Sequence, residues 1–204
     1  VKLFVDAAGG DLRGVAGLEV AHGAITGASP DRIREVRGLL AGPLCAAVAP
    51  GGAADMLRQA RALAAVARDV VVMLPATSDG LAVVEGCAAE RIAAGVTDCA
   101  SPVEVLRAAR AGARAVIVAT GGGGATAGEA MDAVRRIVAS LRSYGYATEV
   151  LVTGVTSPGE LVDAAIAGAH VAIVPPTVLA ELARGTPDDA GRAAGVAAGP
   201  RAGR

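Results

Sequence analysis

Short apolar runs of about five residues alternate along this chain with longer segments whose apolar positions recur at helical spacing. The runs cover residues 2–5, 23–26, 44–48, 70–74, 92–96, 115–119, 149–153 and 171–174. Val70-Val71-Val72-Met73-Leu74 is apolar at both parities, as expected for a strand covered on both faces. Between the runs, helical periodicity predicts helices over 12–20, 30–40, 53–67, 79–89, 102–111, 127–143, 158–167 and 176–184. Ser29-Pro30, Ser78-Asp79, Ser101-Pro102 and Ser157-Pro158 each place a capping hydroxyl before a residue suited to a first helical turn.

Strand followed by helix, eight times, predicts α/β architecture with a parallel sheet. Units of about 25 residues fill the chain and point to one compact (β/α)₈ barrel over residues 1–185, with an open doubly wound sheet as the rival. Residues 186–204 are rich in Ala, Gly and Arg and predict a short terminal helix or a disordered tail.

The charge balance narrows the function classes. A formal net charge of −1, one Phe, two Tyr and no Trp leave neither a basic footprint nor stacking platforms for nucleic acid. No uncharged run approaches the ~18 residues needed to span a bilayer, and no apolar export segment precedes the first strand, so a cytoplasmic protein without membrane partners is expected. Cys45, Cys87 and Cys99, odd in number and widely spaced, suit neither a disulfide framework nor a zinc site. They read as reduced thiols, with Cys45 and Cys87 buried and Cys99, at the parity of Thr97, facing the pocket. No metal and no cofactor is expected.

Several segments carry a resemblance in register: Lys2-Leu3-Phe4-Val5-Asp6, Gly23-Ala24-Ile25-Thr26, Pro75-Ala76-Thr77-Ser78-Asp79-Gly80-Leu81, Gly95-Val96-Thr97, Ala111-Gly112-Ala113, residues 161–168 and Pro175-Pro176-Thr177-Val178-Leu179. Over residues 1 to 185 the chain resembles the small transaldolase and fructose-6-phosphate aldolase family. The resemblance implies a (β/α)₈ barrel whose strand-4 lysine forms a Schiff base with a ketose donor. An aspartate on strand 1 and a water-holding threonine on strand 5 move the protons.

On that resemblance, Asp6 matches the acid/base, Thr26 a strand-2 threonine and Thr97 the water-holding threonine. Met73 stands at the position of the lysine, Gly27 at that of an asparagine and Ala47 at that of a strand-3 acid or amide. Ala119 replaces an aromatic residue, Gly122 an arginine and Gly154 a serine, and Thr156 takes the place of the basic or polar group beyond it. Lys2, the single lysine of the chain, opens strand 1 at the opposite end of the barrel.

These replacements remove positive charge and side-chain volume from the C-terminal mouth. The expectation is a wider, drier pocket, lined by Thr26, Met73, Ala119, Gly122, Gly154 and Thr156, for a small molecule less charged than a sugar phosphate. Asp6, Thr97 and Asp98 are the candidate catalytic groups, although Asp98 also reads as a cap for the helix near Ser101. Gly121–Gly124 reads as a mobile loop or an anion nest. His22 and His170 precede their strands and fall on the opposite face.

Two functions follow. One is a repurposed enzyme, a lyase, isomerase or cyclase of biosynthesis working without a Schiff base on a largely apolar carbonyl compound. The other is a non-catalytic descendant that binds a small molecule or a partner protein. A homo-oligomer smaller than the family's ring assemblies is expected.

Overall fold

A computed structural model of the chain describes residues 1–7, 23–25, 28–40, 42–121 and 126–183. The predicted helix at 12–20, Thr26, Gly27, Gly122 and the tail at 186–204 lie outside them.

Eight parallel strands close into a barrel in sequence order, as the alternation predicts. They are β1 (Lys2–Asp6), β2 (Gly23–Ile25), β3 (Leu44–Ala47), β4 (Val70–Pro75), β5 (Ala94–Thr97), β6 (Ala115–Ala119), β7 (Glu149–Thr153) and β8 (Val171–Val174). Closure comes from β1 pairing with β8 through Lys2↔Val171 to Val5↔Val174, so no strand edge is left open. The described helices are α1 (Pro30–Arg37), α2 (Ala53–Ala64), α3 (Ser78–Ala89), α4 (Pro102–Arg110), α5 (Ala127–Ser143), α6 (Pro158–Ile166) and α7 (Pro176–Ala183).

Local chemistry sets the helix starts. The side chains of Ser29, Ser101 and Ser157 accept hydrogen bonds from the amides of Arg32, Glu104 and Glu160, as predicted. At α3 the cap is Thr77 and not Ser78: Thr77 has extended backbone and accepts from the Gly80 amide, which leaves Ser78 inside the first turn. Helix α5 has a capping box in which Thr126 and Glu129 satisfy each other's backbone amides. Strand β5 begins two residues later than predicted. Arg91 is left-handed, with φ of 58°, and the Ile92 amide still bonds to the Cys87 carbonyl, so this turn belongs to the end of α3.

Period-two alternation divides the apolar residues into two cores. Val5, Leu44, Val72, Leu74, Val96, Val116, Val150 and Val174 point outward and are buried beneath the helices. Phe4, Cys45, Val71, Met73, Ala115, Leu151, Val171 and Ile173 point inward and fill the barrel. Both faces of the sheet are therefore apolar, which explains the uninterrupted hydrophobicity of β4. No described helix is long and apolar enough to cross a membrane.

Candidate active site at the mouth of the barrel

The C-terminal ends of the strands enclose a cavity of about 160 Å³. Parity places its walls: Asp6 ends β1, Ala24 lies on β2, Ala47 ends β3, Met73 lies on β4 and Thr97 ends β5. Ile117, Thr153 and Ile173 complete the opposite side. Because β1 and β5 are half a turn apart in an eight-strand ring, Asp6 and Thr97 face each other across the opening.

Met73 forms part of the floor and is 1% exposed. Its thioether lies over β5 where Gly95 has no side chain: a Cβ there would stand 2.8 Å from both its Cε and its Sδ. Lys2 is four residues before Asp6 on β1, roughly 13 Å away at about 3.3 Å per residue. Its ammonium donates to Glu149 Oε1 at 2.9 Å at the other end of the barrel.

The Thr97 hydroxyl donates to the carboxylate of Asp98, the next residue. Asp98 has a φ of 59°, in the left-handed region that Asp tolerates better than most residues, and this conformation turns its carboxylate back to the mouth. The expected alternative role is thereby corrected, since Ser101 caps α4. With its proton committed to Asp98, the Thr97 oxygen presents lone pairs to the cavity. Among the described lining residues there is no Lys, Arg or His, so Asp6, Thr97 and Asp98 present acceptors and the Thr153 hydroxyl is the side-chain donor left to the cavity.

Asp6, Met73, Thr97 and Asp98 are thus brought together. Ala119, Gly154 and Thr156 are not among the lining residues. Ala119 is exposed at the end of β6. The Thr156 amide and hydroxyl both donate to Glu160 Oε2, at 2.7 and 3.0 Å, which commits that residue to the start of α6 and holds the Glu160 carboxyl below its usual range. Gly154 has a φ of 88° and packs on Gly121; a Cβ would lie 2.8 Å from the Gly121 amide nitrogen. The position is closed to a side chain, and Thr153 reaches the cavity instead. Counting by two from Leu151 points to Thr153.

Cys99 does not face the pocket as expected. It is 2% exposed in the layer beneath the helices, where burial first, then the negative charges of Glu104 and Asp98, push its thiol up to about 12. Cys45 is the cysteine that reaches the cavity. Burial, reinforced by Glu149 and opposed by Arg114, pushes it up to about 12 as well, so neither offers a thiolate near neutrality. Cys87 is also buried. A cavity of about 490 Å³, larger than the one the described residues form at the mouth, opens at the N-terminal end of the barrel. Among the described residues no group of three His, Cys, Asp or Glu side chains is placed to hold a metal ion.

Residues 29–198 match the sequence profile of a family described as Transaldolase/Fructose-6-phosphate aldolase. A probable transaldolase from Caulobacter sp. is 40% identical over 150 residues, covering 74% of this chain and 69% of that protein. A probable transaldolase from Anaeromyxobacter sp. is 34% identical over 201 residues, covering 94% and 93%. Among solved structures, a mandelate oxidase mutant with a monooxide FMN adduct superposes with a TM-score of 0.63 at 21% identity, over 91% of this chain and 68% of that one. At that identity the likeness shows the barrel fold alone. The family profile and the curated relatives show that the chain belongs to the transaldolase and fructose-6-phosphate aldolase family.

Proposed function

We propose that this chain is a transaldolase-family enzyme that works without a Schiff base on a largely apolar, carbonyl-type biosynthetic intermediate, as a lyase, isomerase or cyclase with Asp6 as general acid/base. The observation that carries the reading is the inward position of β4 at the mouth. There the resemblance puts the family's lysine and this chain has Met73, while Lys2 is tied to Glu149 at the far end. An amine that condenses with a carbonyl must reach it, and no described residue of the mouth carries one.

The remaining groups support proton transfer. Asp6 on β1 takes a proton from the carbon beside the ligand's carbonyl; the C–H electron pair becomes the enol double bond and the carbonyl oxygen takes up the charge. Protonated Asp6 then delivers that proton to the oxygen or to a second carbon, and the acceptor oxygens of Thr97 and Asp98 on the opposite wall orient the ligand's hydroxyl groups. Ile25, Ala47, Ile117 and Ile173 exclude water from the reacting atoms. A dianionic phosphate has no cationic partner among the described lining residues, which favours a less charged ligand.

A second reading is a non-catalytic binder of a small molecule or partner protein. Its partner-protein branch is favoured by the volume of about 160 Å³ that the described residues leave at the mouth, below the roughly 300–1,000 Å³ of common small-molecule sites. Homo-oligomeric assembly belongs to either reading, supported by Val162 and Ile166, which stand one turn apart on α6 at 57% and 67% exposure.

A thermal-shift screen of the protein against sugar phosphates and against neutral polyketide-like or terpenoid carbonyl compounds tests the ligand class. Stabilisation by the second set alone is expected, and stabilisation by sugar phosphates would overturn it. With a ligand in hand, Asp6→Asn separates the two functions. Turnover that collapses while binding persists supports the enzyme, whereas turnover unchanged by the substitution removes Asp6 from the chemistry.

A further inference from the structure

The N-terminal end of the barrel holds a cavity of about 490 Å³ that the mouth chemistry does not use. Barrel interiors are filled in layers dominated by bulky branched side chains. Here the inward positions just before β5 and at the start of β6 are Ala93 and Ala115, and these small side chains leave the end of the barrel open above its packed interior. Its inner wall is apolar: Phe4, Val71, Ala93, Ala115 and Leu151. An apolar wall at the base of an open cavity is left against water, and an occupant that covers it gains the hydrophobic contribution of that surface.

The rim carries five charges, Lys2, Arg68, Asp69, Arg114 and Glu149. Lys2 pairs with Glu149 at 2.9 Å, and Asp69 accepts from the Arg37 guanidinium. Among the described residues, the guanidiniums of Arg68 and Arg114 are hydrogen-bonded to no carboxylate, and with Lys2–Glu149 and Arg37–Asp69 paired they leave two uncompensated positive charges at the rim. Two planar donors above an apolar chamber form an acceptor site for a carboxylate.

We propose that this end of the barrel binds a small amphipathic monoanion, its carboxylate held by Arg68 and Arg114 and its compact apolar body seated against Phe4, Val71, Ala93 and Leu151. The volume is that of a small-molecule site. The apolar wall below the two guanidiniums favours a carboxylate with an apolar body over inorganic phosphate, which would leave that wall uncovered.

The test is titration of the full chain with phenylbutyrate, its neutral isostere phenylbutyramide, and inorganic phosphate, followed by melting temperature and calorimetry. Phenylbutyrate is expected to bind saturably, the amide at least about tenfold more weakly, and phosphate not at all. Arg68→Ala and Arg114→Ala are each expected to weaken the carboxylate about tenfold, the loss of one charge-assisted contact, without weakening the amide. Ala93→Leu is expected to raise the melting temperature of the unliganded protein and abolish binding. Absence of saturable carboxylate binding, equal affinity for acid and amide, or full affinity in both arginine variants would overturn the proposal. If Ala93→Leu does not fold, the arginine variants decide it.

Discussion

The Met73 thioether occupies the space over β5 that a side chain on Gly95 would fill, with Cε and Sδ each 2.8 Å from an ideal Cβ at that glycine. The same Cβ would lie 2.5 Å from the Ala115 carbonyl oxygen on β6. Gly95→Ala is therefore expected to destabilise the protein by about 2–4 kcal/mol, since one obstacle is backbone that cannot rotate away. Met73→Ala removes only the flexible obstacle and itself costs about 2–5 kcal/mol as a cavity, so Gly95→Ala measured in the Met73→Ala background should still cost more than half of what it costs in the parent. Denaturant unfolding of the two single variants and the double variant checks this, and a Gly95→Ala substitution that costs nothing once Met73 is alanine would place the clash on Met73 alone.

Asp98 combines a left-handed backbone with a side chain held by Thr97, and two substitutions separate these contributions. Asp98→Ala keeps the unfavourable φ and loses the hydrogen bond, for an expected cost of about 1–2 kcal/mol. Asp98→Gly loses the same bond but relaxes the backbone, so its stability should stay within about 1 kcal/mol of the parent. If the carboxylate serves only the backbone, Asp98→Gly leaves ligand binding and turnover intact; loss of either in a stable protein marks a role at the mouth.

Gly154 is closed to a side chain by Gly121 and by its own φ of 88°. Gly154→Ser, which restores the residue expected from the family resemblance, should cost about 1–3 kcal/mol and shift the junction between β6 and α5. A melting curve for this variant that overlays the parent would mean that the junction moves freely.

His170 brings pH dependence to the N-terminal end. Its Nδ1 accepts the Val150 amide at 3.0 Å, which requires the neutral ring. Burial holds the imidazole below its ordinary value, with Glu149 opposing and Arg142 and Lys2 reinforcing the shift. An unfolded histidine titrates near about 6.5, so below that pH the unfolded chain binds more protons than the folded one. The neutral ring's contribution to stability is complete above that point and is lost as pH falls through the depressed folded value. Unfolding free energy should drop between pH 7 and 5, and His170→Gln should flatten that part of the profile.

What the sequence determined by itself is local. Period-two alternation assigned the inward parity of Phe4, Met73 and Thr97, and side-chain caps at Ser29, Ser101 and Ser157 marked three helix starts, because both signals are written within a few adjacent residues. Eight such units leave little but a closed barrel, and Asp6, Met73 and Thr97 meet at its mouth as parity requires. The tertiary structure alone decided what depends on distant parts of the ring. Cys99 left the pocket because parity does not continue past the end of a strand, where Asp98 turns left-handed. Gly154 proved to be a packing contact with Gly121, a residue 33 positions away. The cavity at the N-terminal end is walled by side chains from separate parts of the chain, Phe4, Val71, Ala93, Ala115 and Leu151. No window of sequence contains that lining, because it exists only when closure of the barrel brings the strands around a common interior.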